Sequence, residues 1–254
     1  MNAAIIQARL GSTRLPGKVL KKIGGMTLLE ILVARLKKSN CIDKIIIATT
    51  NNSCDNDIVR KCHDMEIDCF RGAEDDVLDR YYQAAKKYDV QEIVRITSDC
   101  PLADPFLIDK MWQKYQEEKC DYIVNTLKPG NYSDGFDVEI FSFSNLELVH
   151  REATLYSHRE HVTFYFWKNP NKFKIYYFVY NEDLSSYRFT VDYEEDFVLI
   201  EKIIGELKRK GLFGSFEEII EIMKENSEWE KINAGHYLGE GWADSLKKDK
   251  QIDS

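Results

Sequence analysis

Apolar residues along this chain alternate between two spacings. Short, near-continuous apolar runs, Ala3-Ala4-Ile5-Ile6, then Ile45-Ile46-Ile47-Ala48 within 44–50, Ile67-Asp68-Cys69-Phe70 and Ile93-Val94 within 92–97, read as strands of a sheet covered on both faces. Between them lie stretches with helical spacing. Residues 27–38 place Leu28, Ile31, Leu32 and Leu36 on one side, with Glu30 near the start and Lys37-Lys38 at the end, where each charge suits the helix dipole. Residues 55–65, 75–88 and 105–118 follow the same rule. Alternation of this kind predicts an α/β fold, a Rossmann-like three-layer sandwich whose mainly parallel sheet is covered by helices on both faces.

The spacing changes after residue 118. Residues 121–124, 138–141 and 173–179 read as strands, and the second half is expected to add antiparallel strands to a mixed sheet. From Phe197 onward the pattern is helical, with Ser215 as an N-cap for 216–225. We expect a main domain over 1–200, a helical C-terminal appendage over 201–254, and a loose polar tail over 245–254.

The chain has 254 residues, 44% of them hydrophobic, enough for one sizeable core. Its net charge of -8 argues against nucleic acid as a partner, since phosphate-backbone binders carry a basic surface. The six cysteines include no Cys-x-x-Cys pair, so neither zinc nor a redox dithiol is signalled. With no signal peptide and no apolar run of ~20 residues, the expected location is cytoplasmic, away from membranes.

Ligands of such folds collect in the loops after strands. The first of these reads Gln7-Ala8-Arg9-Leu10-Gly11-Ser12-Thr13-Arg14-Leu15-Pro16-Gly17-Lys18. Small residues allow a close backbone turn, and Arg9, Arg14 and Lys18 are three cations able to surround a triphosphate. A solvated basic loop is the plainer alternative. Thr97-Ser98-Asp99-Cys100-Pro101-Leu102 follows the fourth strand, where a carboxylate is placed to hold a hard cation. An aspartate opening a turn before Pro101 is the alternative there, and Asp192 in Arg188-Phe189-Thr190-Val191-Asp192-Tyr193-Glu194 equally suits a helix cap.

The first loop resembles the Arg-x-x-Ser-x-Arg-Leu-Pro-x-Lys signature of cytidylyltransferases that activate 3-deoxy-manno-octulosonate, and more loosely that of the acylneuraminate enzymes. The wording of the whole chain is closer still to spore-coat polysaccharide biosynthesis proteins of the same superfamily. The second segment resembles the family's Gly-Asp-x-Pro-Leu, with Ser98 in place of glycine. The third resembles Thr-Val-Asp-Thr-Pro-Glu-Asp-Phe, with Tyr193-Glu194 in place of Thr-Pro.

The resemblance implies a GT-A-like fold and a Mg2+-dependent transfer of CMP from CTP to a sugar acid or sugar-like acceptor, with release of pyrophosphate, for cell-surface polysaccharide. It also implies a homodimer. Arg9, Arg14 and Lys18 would be catalytic, and Asp99 and Asp192 would bind the metal. Ala8, Leu10, Gly11, Ser12, Thr97 and Ser98 would line the nucleotide. Arg71 and Arg80, in a segment that resembles one in the spore-coat proteins, could contact the nucleotide or the incoming acid, or form ordinary ion pairs with the surrounding acids. Asp134, Asp137, Glu139, Arg159, Glu160, His161 and Arg188 are candidates for reading the acceptor. His158 and His161 lack a third ligand of suitable spacing, so no zinc is expected there. Two rivals remain: a glycosyltransferase of similar architecture, and a nucleotide-binding partner without activity.

Overall fold

The structure is a computed structural model that describes residues 1–236, Gly239 and 241–252. It opens with β1 (Asn2–Gln7), a hairpin of β2 (Lys22–Ile23) and β3 (Met26–Thr27), then α1 (Leu28–Leu36) and β4 (Lys44–Thr50). Next come α2 (Asn56–Asp64), β5 (Asp68–Gly72), α3 (Val77–Lys87), β6 (Glu92–Thr97) and α4 (Pro105–Glu118). The second half contributes β7 (Tyr122–Val124), β8 (Glu139–Ser142), α5 (Phe143–Glu152), α6 (Tyr156–His161), α7 (Phe164–Lys168) and β9 (Ile175–Tyr177). Three helices complete the described residues: α8 (Glu194–Lys210), α9 (Phe216–Glu225) and α10 (Trp242–Ile252).

Seven strands form one sheet in the order β5-β4-β1-β6-β8-β7-β9. Gln7 pairs with Ala48 on one side and Thr97 on the other, so β1 and β6 finish level and their loops emerge together, while β4 runs two residues further, to Thr50. Side chains alternate across β1: Ala4 and Ile6 enter the larger core with α1, α4, α8 and α9, while Ala3 and Ile5 enter the smaller core with α3, α5 and α7. The larger core is completed by Phe216 of α9, whose ring lies 4.9 Å from Tyr132, 4.8 Å from Phe136 and 5.3 Å from Tyr180.

Two buried polar residues join distant elements. Arg35 of α1 donates to the carbonyls of Leu102, Ala103, Phe213 and Gly214. Asp104 caps α4 through the Phe106 N–H and also accepts from the Phe216 N–H, both at 2.8 Å.

Two expectations need correction. Only β8 runs antiparallel, to β6 and β7, whereas β7 and β9 run with the main sheet. The reason is that α4 carries the chain back over the sheet, so that β7 is laid parallel to β6 and leaves a slot that β8 fills. The tail is not loose as far as Ile252. Within α10, Asp249 accepts from the Ser157 N–H at 2.8 Å, Ser245 meets His161 at 2.8 Å, and Lys248 lies over the Tyr156 ring. The last two residues of the expected tail, 253 and 254, lie outside the described residues.

Candidate active site

A cavity of about 710 Å³ opens at the level ends of β1 and β6. Its cationic side is the loop after β1. Gly17 adopts a left-handed conformation (φ 69°) that turns the chain into a short helical turn at Lys18–Leu20, and the Gly17 N–H closes the loop on the Leu10 carbonyl at 3.1 Å. The turn drives Lys18 inward until its side chain is buried. Its ammonium lies 3.1 Å from Asp99 and 2.8 Å from Asp192, and Arg14 reaches Asp192 at 2.7 Å. Burial works against the Lys18 charge, but the two carboxylates outweigh it and hold its pKa above the usual value. Burial likewise works against Asp99, yet Lys18 and a hydrogen bond from Thr97 bring its carboxyl down to about 2. Lys18 and Asp99 are therefore ionised at neutral pH.

The two aspartates are fixed from behind. The Val191 N–H donates to the Asp99 carbonyl at 2.8 Å, tying the two segments together. Arg188, itself buried, binds Asp134, Asp192 at 3.0 Å and Asp196 at 3.1 Å. Asp196 in turn accepts from the N–H groups of Asp192 and Tyr193, so it is Asp196 that caps α8 and Asp192 is left facing the cavity. Tyr193, where the family pattern has threonine, lies under the Arg14 guanidinium and stacks on His236 at 3.7 Å. Gly135, at φ 100°, lets the 134–137 loop press against Phe189 and Thr190, where a Cβ would meet backbone at 2.4 Å. That close approach sets Asp134 against Arg188.

The floor is lined by Arg95, Thr97, Ser98, Asp137 and Glu139, with Glu160 and His161 on the α6 side. Glu139 is held by Arg95 and by the Tyr122 hydroxyl. Burial pushes the Asp137 carboxyl up, while the Gly135 N–H and Thr126 partly oppose it. Burial and the charge on Arg95 bring His161 down to about 4.

Most of the sequence-predicted residues meet here: Ala8, Arg9, Ser12, Arg14, Lys18, Arg80, Thr97, Ser98, Asp99, Asp134, Asp137, Glu139, Glu160, His161, Arg188 and Asp192 all border the cavity. Arg9 lies 3.3 Å from Glu74 and 4.0 Å from Glu160 at the rim. Arg80 is almost wholly buried and donates to the Ala73 carbonyl. Leu10, Gly11, Arg71 and Arg159 do not border it. Arg71 braces the turn after β4 through Thr50, Asn52 and Asn56, and Arg159 is committed to Asp76 and the His150 carbonyl.

Sequence reading missed Arg95, although a single arginine inside the run Ile93-Val94-Arg95-Ile96 was a signal that a charge faces a ligand space. Trp167, Phe164 and Trp242 also border the cavity, and nothing in their spacing marks them. An Asp-x-Asp stretch of the kind glycosyltransferases use does occur, at Asp55-Asn56-Asp57. Neither carboxylate borders the cavity: Asp55 is buried on the Leu10 N–H and the Thr50 hydroxyl, and Asp57 faces Arg60.

The cytidylyltransferase family profile matches residues 3–232 of this chain. The chain belongs to the cytidylyltransferase family. It is an enzyme of cytidylyl transfer, as its three sequence segments led us to expect. A Methanocaldococcus jannaschii protein without assigned function is 41% identical over 91% of this cytidylyltransferase and 93% of its own length. The spore coat polysaccharide biosynthesis protein SpsF of Bacillus subtilis is 34% identical over 78% of this chain and 84% of its own. Among solved structures, a cytidylyltransferase from Leptospira borgpetersenii shares the fold with a TM-score of 0.83 and 33% identity, covering 90% of this chain and 95% of that one. Among the described residues, no helix is long and apolar enough to cross a membrane.

Proposed function

We propose that this cavity transfers CMP from CTP to a sugar acid or sugar-like acceptor for cell-surface polysaccharide, releasing pyrophosphate. The observation that carries the reading is the convergence of Lys18 and Arg14 on Asp99 and Asp192, at the level ends of β1 and β6. The acceptor oxygen attacks the α-phosphorus, and the bond to the pyrophosphate oxygen breaks. Such transfers need positioning and charge neutralisation more than a protein nucleophile. Arg9, Arg14 and Lys18 bind the triphosphate oxygens and hold the leaving pyrophosphate. Arg188 keeps Asp192 oriented. The acceptor enters over Asp134, Asp137 and Glu139.

The two carboxylates suit Mg2+. They are hard oxygen donors, Asp99 stays ionised far below neutral pH, and both come within reach of a single ammonium. Mg2+ keeps much of its shell as water and substrate phosphate, so two carboxylates are a sufficient protein contribution. Asp99 and Asp192 would hold the ion, and it would supply charge neutralisation at the phosphates. By resemblance we extend the reading to a cytoplasmic homodimer.

The test is pyrophosphate release with Mg2+, each of the four nucleoside triphosphates and a panel of sugar acids. Release is expected with CTP, and Lys18→Ala should lower kcat by about 100-fold or more, the effect of removing one aimed cation. Consumption of a ready-made sugar nucleotide, with no pyrophosphate from any pair, would overturn the proposal.

A further inference from the structure

One wall of the cavity is built from groups that phosphate binding does not require. Phe164 and Trp167 of α7 and Trp242 of α10 form a triangle of rings, with centroids 4.4 Å (Phe164 to Trp167), 5.3 Å (Phe164 to Trp242) and 5.6 Å (Trp167 to Trp242) apart. All three border the cavity, and both tryptophans remain half-buried. Their place over the sheet is fixed by Phe166, which stacks on Tyr122 of β7 at 4.8 Å and lies 5.2 Å from Phe141 of β8. The cationic loop follows β1, on the other side of β6, and Asp99 follows β6 at the junction. A donor whose triphosphate lies on that loop leaves the β8-β7 half to the acceptor.

The wall is apolar and angled, with the two tryptophan planes 48° apart and Phe164 edge-on to both, and its edge is polar. His161 stacks on Phe164 at 4.4 Å and hydrogen-bonds Ser245 at 2.8 Å, and both border the cavity. An apolar corner that offers the face of one indole, closed by a second and edged by hydrogen-bonding groups, suits a cyclic sugar, whose ring offers a C–H face and a rim of hydroxyls. A small ring-less acid has no face to cover it. One of the three rings, Trp242, and Ser245 at the polar edge also lie outside the part of the chain that defines the family: the profile ends at residue 232, and α10 begins at Trp242.

We propose that α10 is the acceptor-selecting element of this enzyme: Trp242 packs against the ring face of a cyclic acceptor, Trp167 closes the corner at its side with the buried Phe164 ring behind them, and Ser245 and His161 bind its hydroxyls. This rests on the cytidylyl-transfer reading above and adds the residues that choose the acceptor. The test is steady-state kinetics with CTP against two probe sets, cyclic sugar acids such as 3-deoxy-manno-octulosonate and ring-less phosphonates such as phosphonoacetate. CTP affinity is measured separately by calorimetry without acceptor.

The wild-type enzyme should prefer cyclic acceptors. Trp242→Ala should raise the KM for the best of them about tenfold, the loss of one stacking contact, while CTP affinity holds. Trp242→Phe should restore most of the difference. Trp167→Ala, on another helix, should repeat the pattern, which keeps the test readable if removing Trp242 loosens α10. An unchanged acceptor KM in both alanine variants overturns the proposal, as does equal turnover of phosphonoacetate. Loss of CTP affinity in step with acceptor KM also overturns it, because the rings would then hold the base. Wild-type protein that binds no CTP would instead strike down the function on which the proposal rests.

Discussion

His161 carries a pH dependence whose sign follows from its surroundings. Burial and Arg95 bring its pKa from 6.5 down to about 4, so the folded ring stays neutral while the ring in the unfolded chain takes a proton below 6.5. The unfolded state then binds more protons, and stability falls as pH drops through this window, by about 3 kcal/mol at most. His161→Gln cannot titrate and should flatten that part of the curve, as read by urea unfolding at stepped pH. An unchanged slope would assign the acid sensitivity elsewhere. Residues like this explain what the sequence shows and hides. Arg9, Arg14 and Lys18 were legible because they lie within eleven positions of the end of one strand, at Gln7. The role of Arg188 was not, because its partners sit 54, 4 and 8 positions away and each aspartate has an ordinary use as a cap or turn residue.

Among the elements, the connections made by Arg35 matter most for stability. Its guanidinium satisfies four carbonyls from two segments, and burial with no directly paired carboxylate brings its pKa down to about 10. Arg35→Leu should therefore cost about 3 kcal/mol, the cost of buried carbonyls left without donors, seen as a lowered Tm with Mg2+ and CTP absent. A change within about 0.5 kcal/mol would mean that water replaces the guanidinium. The long periodic helices, α1 to α4, α8 and α9, could be read from the sequence. The segment 156–168 could not, because α6 and α7 span only six and five residues, lack side-chain caps and are rich in aromatics that suit strands equally well. Reading β7 and β9 as parallel needed knowledge of where α4 and α7 cross the sheet, which local pattern does not contain.

At the scale of the molecule, a net charge of -8 surrounds a cavity edge carrying Arg9, Arg14 and Lys18. The attraction for a triphosphate is thus local and works against the overall field. Raising ionic strength from about 0.05 M to about 0.5 M should weaken CTP binding several-fold, because it screens the exposed Arg9 and Arg14 more than the buried Lys18. Calorimetry at stepped salt measures this, and salt-independent affinity would show that the loop's cations do not carry the binding. The α/β class was legible from the alternation of apolar runs with periodic helices. That α9 shares the larger core with the sheet was not, since contact between residues so far apart in the chain leaves no local trace. That contact bears on synthesis. Phe216 fills the ring cluster around Tyr132, Phe136 and Tyr180, and its N–H meets Asp104 across 112 positions. A nascent chain on the ribosome therefore keeps this apolar face open until residue 216 has cleared the exit tunnel, so the larger core closes only after α9 has emerged.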